Sequence, residues 1–273
     1  MKIQVSIKET RQLLSKSKLP DADYVINPYL GCTHGCIYCY AEFMRRFSRH
    51  TEPWGTFIEV KKCTANLDLR RVSPTDTILI GSVTDAYNPF ESKYCITREI
   101  LRQLSSCAAR VEILTKSKLV CRDIDLLKKI PNAAVGVSLS TTDDLFRSWT
   151  EPYASSVKDR IETLKTLHEA GISTYLFAAP IFPGFSDYQA LLEQTAGYVD
   201  YACFENLNLR GSYKARVFSF IAQEYPGKIP LFEKIYNQKD LFYWDDLEHN
   251  IRQCCDMFRI PCRIYFHHGS FQT

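Results

Sequence analysis

Short apolar runs alternate with amphipathic segments through most of the chain. The apolar runs have the length and composition of buried strands, and they lie at 24–30, 77–81, 111–115, 134–139, 173–178 and 201–207. The segments between them carry apolar residues at helical spacing, and they predict helices over 37–47, 97–107, 122–130, 157–170 and 188–198. Strands and helices that alternate in this way predict βαβ units and a parallel sheet.

The alternation spans residues 24–212 and predicts an α/β domain of six strand–helix units. Right-handed crossovers curl such a sheet towards a barrel, and six units fall short of the eight that close one. Residues 1–23 are polar and basic, so we expect a lead-in segment there. The alternation is lost over 213–273, where only a helix over 245–258 and a strand over 263–266 are predicted. We expect this extension to pack on the barrel and cover its open side.

Three cysteines fall within eight residues just after the first predicted strand. Cys32, Cys36 and Cys39 have C-x3-C-x2-C spacing. Thiolates this close together suit one compact metal centre, either zinc or an iron–sulfur cluster. A [4Fe–4S] cluster takes four ligands, so three thiolates leave one iron open to another group. A zinc site would need a fourth ligand such as His34 or Cys63, and the spacing alone leaves both interpretations open.

Composition places the chain among ordinary globular proteins. It has 273 residues, of which 45% are hydrophobic and 24% are charged. No window approaches the roughly 18 uninterrupted apolar residues of a membrane span, and the start of the chain has no signal-peptide core. We therefore expect a cytosolic protein with no membrane partner. Its eleven cysteines are then expected to be thiols, because that compartment is reducing.

Reactive groups in a barrel of this type gather where strands end and the following loops begin. Ser82 and Asp85 follow the second strand and could hold an ammonium group or ribose hydroxyls, although turn capping explains them equally well. Lys116 follows the third strand and could bind a carboxylate, or it could be a solvated lysine. Ser138 belongs to a run of hydroxyl residues that could simply cap a helix. Ala179 leaves room either for a flat adenine ring or for close strand packing.

The segment 41–72 is basic and aromatic. It holds seven Lys or Arg residues and four Asp or Glu residues, with Phe47, Trp54 and Phe57 between them. Such a segment could follow a phosphate backbone and stack on bases. The solvated face of a helix is the simpler explanation.

A looser group of cysteines lies in the C-terminal extension. Cys254, Cys255 and Cys262 could hold an auxiliary cluster, but no fourth ligand is evident, and small core residues are the simpler interpretation. The sequence has neither a Walker A motif nor a dinucleotide-binding fingerprint, so neither nucleotide hydrolysis nor hydride transfer is indicated.

The string Asn-Pro-Tyr-x-Gly-Cys-x-His-Gly-Cys-x-Tyr-Cys-Tyr over 27–40 resembles the cluster loop of radical S-adenosylmethionine (SAM) enzymes, in particular the spore photoproduct lyase-like branch. The resemblance implies a partial (β/α)6 TIM-like barrel, a [4Fe–4S] cluster on Cys32, Cys36 and Cys39, and SAM on the open iron. The implied activity is reductive cleavage of SAM to a 5′-deoxyadenosyl radical that abstracts a hydrogen atom from the substrate. The implied partner is a one-electron reductant such as a flavodoxin or ferredoxin.

The same resemblance implies roles for individual residues. Tyr38, Lys116 and Ser138 match positions around SAM, with Lys116 on its carboxylate. The Gly-Gly-Glu motif that many radical SAM enzymes use for the SAM amine is absent, so the amine's partner stays open. Glu151 and Arg160 also match positions of the family, without a role that the sequence assigns.

The substrate is less defined than the cofactors. Spore photoproduct lyases repair a thymine dimer in DNA and carry a cysteine after the second strand as a hydrogen donor. Val83 occupies the matching position here, and its C–H bonds are too strong to donate. Cys95 or Tyr87 could stand in as the donor. We therefore predict a lyase-like radical SAM enzyme with a nucleic acid as a candidate substrate, but a poor spore photoproduct lyase. The competing class is a non-catalytic zinc-binding, nucleic-acid-binding module.

Overall fold

The structure is a computed structural model that describes residues 3–267, so the predicted lead-in and extension extend beyond it by residues 1–2 and 268–273. Its strands are β1 Gln4–Thr10, β2 Leu14–Lys16, β3 Tyr24–Ile26, β4 Tyr29–Leu30, β5 Phe57–Cys63, β6 Thr77–Ile80, β7 Arg110–Thr115, β8 Ala133–Ser138, β9 Ser173–Ile181, β10 Tyr201–Asn206 and β11 Cys262–Tyr265. Its α-helices are α1 Glu91–Tyr94, α2 Ile96–Gln103, α3 Ile124–Leu127, α4 Asp144–Thr150, α5 Val157–Glu169, α6 Tyr188–Thr195, α7 Tyr213–Glu224, α8 Ile229–Tyr236 and α9 Phe242–Phe258. Short 3-10 helices lie at Tyr40–Phe47, Lys118–Asp123, Ala196–Tyr198 and Pro226–Lys228.

A large, mostly parallel sheet organises the fold. Its strand order is β11-β10-β9-β8-β7-β6-β3-β2, and every neighbouring pair is parallel except β2 with β3. Helices connect successive parallel strands, so the predicted α/β fold is confirmed. Within the described residues the sheet keeps two free edges, at β2 and β11, and forms an open partial barrel. No helix in this part of the chain is long and apolar enough to cross a membrane.

The residues predicted as a lead-in form two strands. β1 pairs in parallel with β5, from Gln4 opposite Phe57 to Thr10 opposite Cys63, and β5 also pairs with β4. β2 extends the edge of the large sheet beside β3. β1 was not predicted, although Ile3, Val5 and Ile7 alternate with polar residues, because the surrounding basic residues favoured a lead-in segment. It is an edge strand whose residues are mostly exposed.

The predicted helices 97–107 and 188–198 end early, at Gln103 and Thr195, and two others differ more from the prediction. The segment 37–47 is helical only from Tyr40, as a 3-10 helix, because the backbone up to Cys39 forms the cysteine loop. The segment 122–130 contains a 3-10 helix followed by the short helix α3. Neither β5 nor α4 was predicted, and in β5 the charged residues obscure the apolar alternation.

The C-terminal extension adds a strand and supports the cysteine loop. β11 pairs in parallel with β10. α9 buries Ile251, Cys254 and Cys255 in an apolar cluster with residues of β8, β9 and β10. α7 and α8 contribute Val217 and Phe232 to an apolar cluster that includes Tyr38 and Phe182. The rings of Tyr38 and Phe182 meet edge to face, with centroids 5.3 Å apart. Tyr38, which lies between the last two cysteines, is therefore buried in the same apolar cluster as helices of the extension.

Candidate active site

The cysteine loop, residues 31–39, joins β4 to the 3-10 helix Tyr40–Phe47. Gly31 begins it with φ +91°, and a Cβ there would lie 2.6 Å from the backbone oxygen of Phe57. Gly35 has φ +70°, and its Cβ would lie 3.2 Å from the ring of Tyr153. Both positions need glycine because L-residues rarely adopt this conformation and the space is filled. The loop is therefore shaped by β5 on one side and by the segment after α4 on the other.

His34 anchors the loop through its Nδ1, which lies 3.1 Å from the backbone oxygen of Tyr153. Its Nε2 makes no hydrogen bond within the described residues but faces Oδ2 of Asp85 at 3.0 Å, so it points at that carboxylate. Cys63, the other candidate for a fourth zinc ligand, lies six residues along β5 from Phe57, which contacts Gly31. That separation corresponds to about 20 Å. Neither residue fits a single-zinc site on this loop.

The three thiols of the loop lie in one electrostatic environment. Burial raises the pKa of Cys32 to about 12, with further contributions from the charges of Asp85 and Cys39. Burial also raises the pKa of Cys36 well above its usual value, and that of Cys39. Such thiols become thiolates when a metal centre supplies positive charge, so the donor set suits a cationic group.

The arrangement of the thiols also bears on which centre fits. Among residues 3–267, no three or more His, Cys, Asp or Glu side chains are grouped so as to hold one metal ion. An iron–sulfur cluster places each thiolate on a different iron, so its ligands need not converge on a single point. Three cysteines without a fourth protein ligand fit a cluster with one open iron.

Asp85 ties the loop to the ends of two strands. Its Oδ1 accepts hydrogen bonds from the Thr115 hydroxyl and the Tyr87 amide, at 2.7 and 2.8 Å. Its Oδ2 accepts one from the Lys116 amide at 2.8 Å and faces His34. Burial would raise the pKa of Asp85, but the charge of His34 and these hydrogen bonds lower it to about 2. Both oxygens are thus engaged within the protein.

A second buried network joins Tyr38 and Lys116. The Tyr38 hydroxyl and the Arg160 guanidinium both donate to the carboxylate of Glu151, and Nζ of Lys116 lies 3.8 Å from it. Arg160 also donates to the backbone oxygen of Ser138 at 2.9 Å. Burial would raise the pKa of Glu151, but the charges of Arg160 and Lys116 lower it. Tyr38, Lys116 and Ser138, all predicted to surround SAM, thus contact one ion pair, Glu151 and Arg160. In the sequence, this pair was indicated only by its match to family positions.

The remaining predicted cofactor residues lie along the neighbouring strand ends. The Ser138 hydroxyl donates to the backbone oxygen of Ala179 at 3.1 Å, so these two are adjacent at the ends of β8 and β9. Ser82 is held by the Asn27 side-chain amide at 3.0 Å, and its backbone oxygen accepts a 2.5 Å hydrogen bond from the Tyr40 hydroxyl.

The two candidate hydrogen donors lie in other surroundings. Cys95 joins α1 to α2 in a left-handed conformation, and its sulfur contacts the Ser92 oxygen at 3.9 Å and Arg122 at 3.7 Å. Tyr87 is fully buried, and its hydroxyl donates to Asp123. No contact found in the described residues links either side chain to the cysteine loop. The role of Cys95 as a donor stays a prediction.

A groove of about 930 Å³ opens beside the cysteine loop. Its walls are the 3-10 helix Tyr40–Phe47 with the residues that follow it, and the segment 208–213. The lining includes Tyr40, Phe43, Arg45, Arg46, His50 and Arg210. The predicted basic segment 41–72 is therefore divided, because its second half forms β5 and a loop in which Arg70 pairs with Asp68 at 2.7 Å.

The cysteines of the extension form no group, within residues 3–267, that could hold a metal ion. The thiols of Cys255 and Cys262 are hydrogen-bonded to each other, and Cys254 is next to Cys255. All three pack in the apolar cluster between α9 and the sheet. They serve as small core residues there.

The sequence resemblance implies an open parallel sheet with a three-cysteine loop after its first strand. The structure has such a sheet, and the loop follows β3 after the two-residue strand β4, which pairs with β5 instead. A family model for the radical SAM superfamily matches residues 26–193, which is more than half of the chain. The chain therefore belongs to the radical SAM superfamily, a class of enzymes.

Three individual proteins illustrate how similar this chain is to known relatives and structures. An uncharacterized protein of Methanocaldococcus jannaschii is 34% identical over 254 residues, covering 92% of this chain and 95% of that protein. A radical SAM Nalpha-GlyT isomerase of Pseudomonas phage M6 is 29% identical over 175 residues, covering 62% of this chain and 36% of that protein. Spore photoproduct lyase complexed with dinucleoside spore photoproduct superimposes with a TM-score of 0.68 at 18% identity, over 96% of this chain and 82% of that chain. That likeness shows a shared fold.

Proposed function

We propose that this protein holds a [4Fe–4S] cluster on Cys32, Cys36 and Cys39 and uses it to cleave SAM. The observation that carries the proposal is the meeting of Tyr38, from the cysteine loop, with Lys116, from the end of β7, around one buried carboxylate. When bound, the cluster and SAM supply a 5′-deoxyadenosyl radical that takes a hydrogen atom from the substrate.

In this proposal the chain's own residues bind and orient SAM. Lys116 places its ammonium group on the SAM carboxylate, and a charged hydrogen bond in a buried site gives it strength and direction. Ser138, Ala179 and Ser82 line the strand ends beside it. Asp85 does not contact SAM in this proposal. It positions His34 and the backbone of Lys116, and both of its oxygens are engaged there.

The test is metal content and SAM cleavage in protein purified without oxygen. The proposal predicts a brown protein with about four irons per chain, and 5′-deoxyadenosine should form when SAM and dithionite are added. A colourless protein with one tightly held zinc would instead support a non-catalytic module. The orientation of His34, whose ring nitrogens face Asp85 and Tyr153, and the distance to Cys63 argue against that alternative.

We further propose a nucleic acid as the substrate and the groove beside the cysteine loop as its binding site. Arg45 and Arg46 are exposed on its wall, and the guanidinium of Arg46 lies over the rings of Phe43 and Phe47, at 5.5 and 4.7 Å. Cations that can meet phosphates, next to exposed aromatic rings that can stack on bases, are what single-stranded nucleic acid requires.

The electron would come from a one-electron carrier such as a flavodoxin or ferredoxin, and we place the protein in the cytosol. All eleven cysteines are free thiols, which agrees with a reducing compartment. The reaction itself would be lyase-like, with Cys95 as the candidate hydrogen donor. Because Val83 stands where the lyases carry a cysteine, we propose a substrate other than the spore photoproduct.

A further inference from the structure

Glu151 and Arg160 are the most completely buried ion pair beside the cysteine loop. Their side chains are each 1% exposed. Arg160, in the first turn of α5, donates to the backbone oxygens of Ser155 and Ser138, both at 2.9 Å, and to Glu151. A guanidinium that binds three groups on three segments fixes their relative positions, since its donors have a rigid geometry.

The pair contacts each part of the proposed SAM site. Glu151 accepts the hydroxyl of Tyr38 and lies 3.8 Å from Nζ of Lys116. Arg160 holds the backbone of Ser138 directly, and it holds that of Lys116 through Ser155, whose amide donates to the Lys116 oxygen at 3.1 Å. These connections join β7, β8, α5 and the cysteine loop.

The side chains of Arg160, Lys116 and Glu151 together carry a net positive charge, which favours binding of an anion. Arg160 and Lys116 carry two positive charges and Glu151 carries one negative charge, so the three side chains sum to +1. The charge of Asp85 also acts on the Lys116 ammonium group, but both Asp85 oxygens are already engaged, by the Thr115 hydroxyl, the Tyr87 and Lys116 amides and His34. A buried excess positive charge is costly unless a counter-charge binds.

We propose that Glu151 and Arg160 are positioning residues of the SAM site. They hold Tyr38, Lys116 and Ser138 in the arrangement that binds the methionine end of SAM. The net positive charge that remains on Lys116 is then available to the SAM carboxylate. The inference rests on the proposed function. It adds to that function a pair of residues that contact neither iron nor the reacting atoms.

A double-mutant cycle separates positioning from charge. Glu151→Gln makes the network's net charge +2, Arg160→Gln makes it 0, and the double variant returns it to +1. Each reconstituted protein is assayed for iron content, for SAM affinity by calorimetry, and for KM and kcat of SAM cleavage. If the pair positions the site, all three variants keep their iron and bind SAM about tenfold or more weakly, with the change mainly in KM.

Glu91→Gln is a matched control. Glu91 is fully buried and accepts the Tyr29 hydroxyl and the Arg122 guanidinium, the same chemistry away from the proposed SAM contacts. This substitution should leave SAM affinity within about twofold of wild type. A comparable weakening in this control would reduce the role of Glu151 to general stability.

Several outcomes would overturn the inference. Wild-type affinity in the double variant would mean that only net charge matters, and tighter SAM binding by Glu151→Gln would mean that Glu151 merely competes for Lys116. Should the variants of the pair fail to fold, Tyr38→Phe removes only the hydroxyl that donates to Glu151, and unchanged SAM affinity there would count against the inference. A wild-type protein that holds no cluster and binds no SAM would instead refute the proposed function itself.

Discussion

The indole Nε1 of Trp54 lies 3.2 Å from Sγ of Cys39 and donates a hydrogen bond to it. Trp54 belongs to neither the cysteine loop nor β5 but to the segment between them, and its ring packs edge to face on Phe57 at 5.7 Å. Burial raises the pKa of Cys39, and the hydrogen bond from Trp54 acts in the opposite direction. Trp54 thus stabilises negative charge on the third proposed cluster ligand.

Trp54→Phe should make the cluster harder to reduce. Hydrogen bonds to cluster sulfurs stabilise the more negative reduced state, so removal of one lowers the reduction potential. A net contribution of about 0.5–1.5 kcal/mol corresponds to roughly 20–60 mV for one electron. A redox titration followed by electron paramagnetic resonance measures it. Trp149→Phe, on the surface of α4, is the control and should leave the potential unchanged; an unchanged or raised potential in Trp54→Phe would contradict the assignment.

Cys36→Ala should abolish cluster retention and SAM cleavage while the sheet still folds. It removes one of three thiolates, and the remaining two cannot hold a cubane with an open iron. Iron analysis, the visible spectrum and 5′-deoxyadenosine formation with dithionite measure the effect. Cys121→Ala, outside the loop, should keep its iron. Wild-type 5′-deoxyadenosine from Cys36→Ala would refute the ligand assignment.

Lys116→Ala should weaken SAM binding and leave cluster content normal. A charged hydrogen bond to the SAM carboxylate contributes roughly 1.5–3 kcal/mol, so the Kd should rise by about one to two orders of magnitude. Calorimetry on the reconstituted protein measures it. Lys118→Ala is the neighbouring control, because that side chain is 64% exposed and pairs with Asp159. Equal SAM affinity in wild type and Lys116→Ala would return Lys116 to a structural role.

Arg45→Gln and Arg46→Gln should each weaken binding of single-stranded DNA and flatten its salt dependence. For single strands the slope of log K against log salt changes by about 0.7 for each phosphate that the protein no longer neutralises. Fluorescence anisotropy with a labelled oligonucleotide at several salt concentrations measures both quantities. Arg70→Gln, with a side chain that is 88% exposed and paired with Asp68, should behave as wild type. A common slope for all four proteins would remove the groove as a nucleic-acid site.

Incubation of the reduced protein and SAM with spore photoproduct dinucleotide should give little or no thymine. Val83 lacks the weak S–H bond that a thiol would offer to the product radical, and the Cys95 sulfur contacts Ser92 and Arg122 instead of the cysteine loop. Chromatography of the products measures repair. Repair over many turnovers would contradict the prediction, and its absence in Cys95→Ala would then identify Cys95 as the donor.

Features that depend on neighbouring residues can be predicted from the amino-acid sequence alone. Apolar periodicity over a few residues predicted the strands from β6 to β10 and helix α5, because a strand or helix buries one side of a local repeat. The spacing of Cys32, Cys36 and Cys39 predicted a compact metal centre for the same reason, since ligands on one short loop need no distant partner. The order of strands then indicated that Lys116 and Ser138 end at the same edge of the sheet.

Contacts between residues that are distant in sequence become evident only once the chain is folded. Tyr38 and Glu151 are 113 residues apart, and His34 and Tyr153 are 119 apart, so no local pattern records their contacts. Trp54 looked like part of a basic, aromatic segment until folding placed its N–H on Cys39. β1 was missed because its short alternation of Val5 and Ile7 lies among charged residues and stays exposed at an edge of the structure. Such contacts depend on how whole elements pack, and packing is a property of the assembled core rather than of any one stretch of chain.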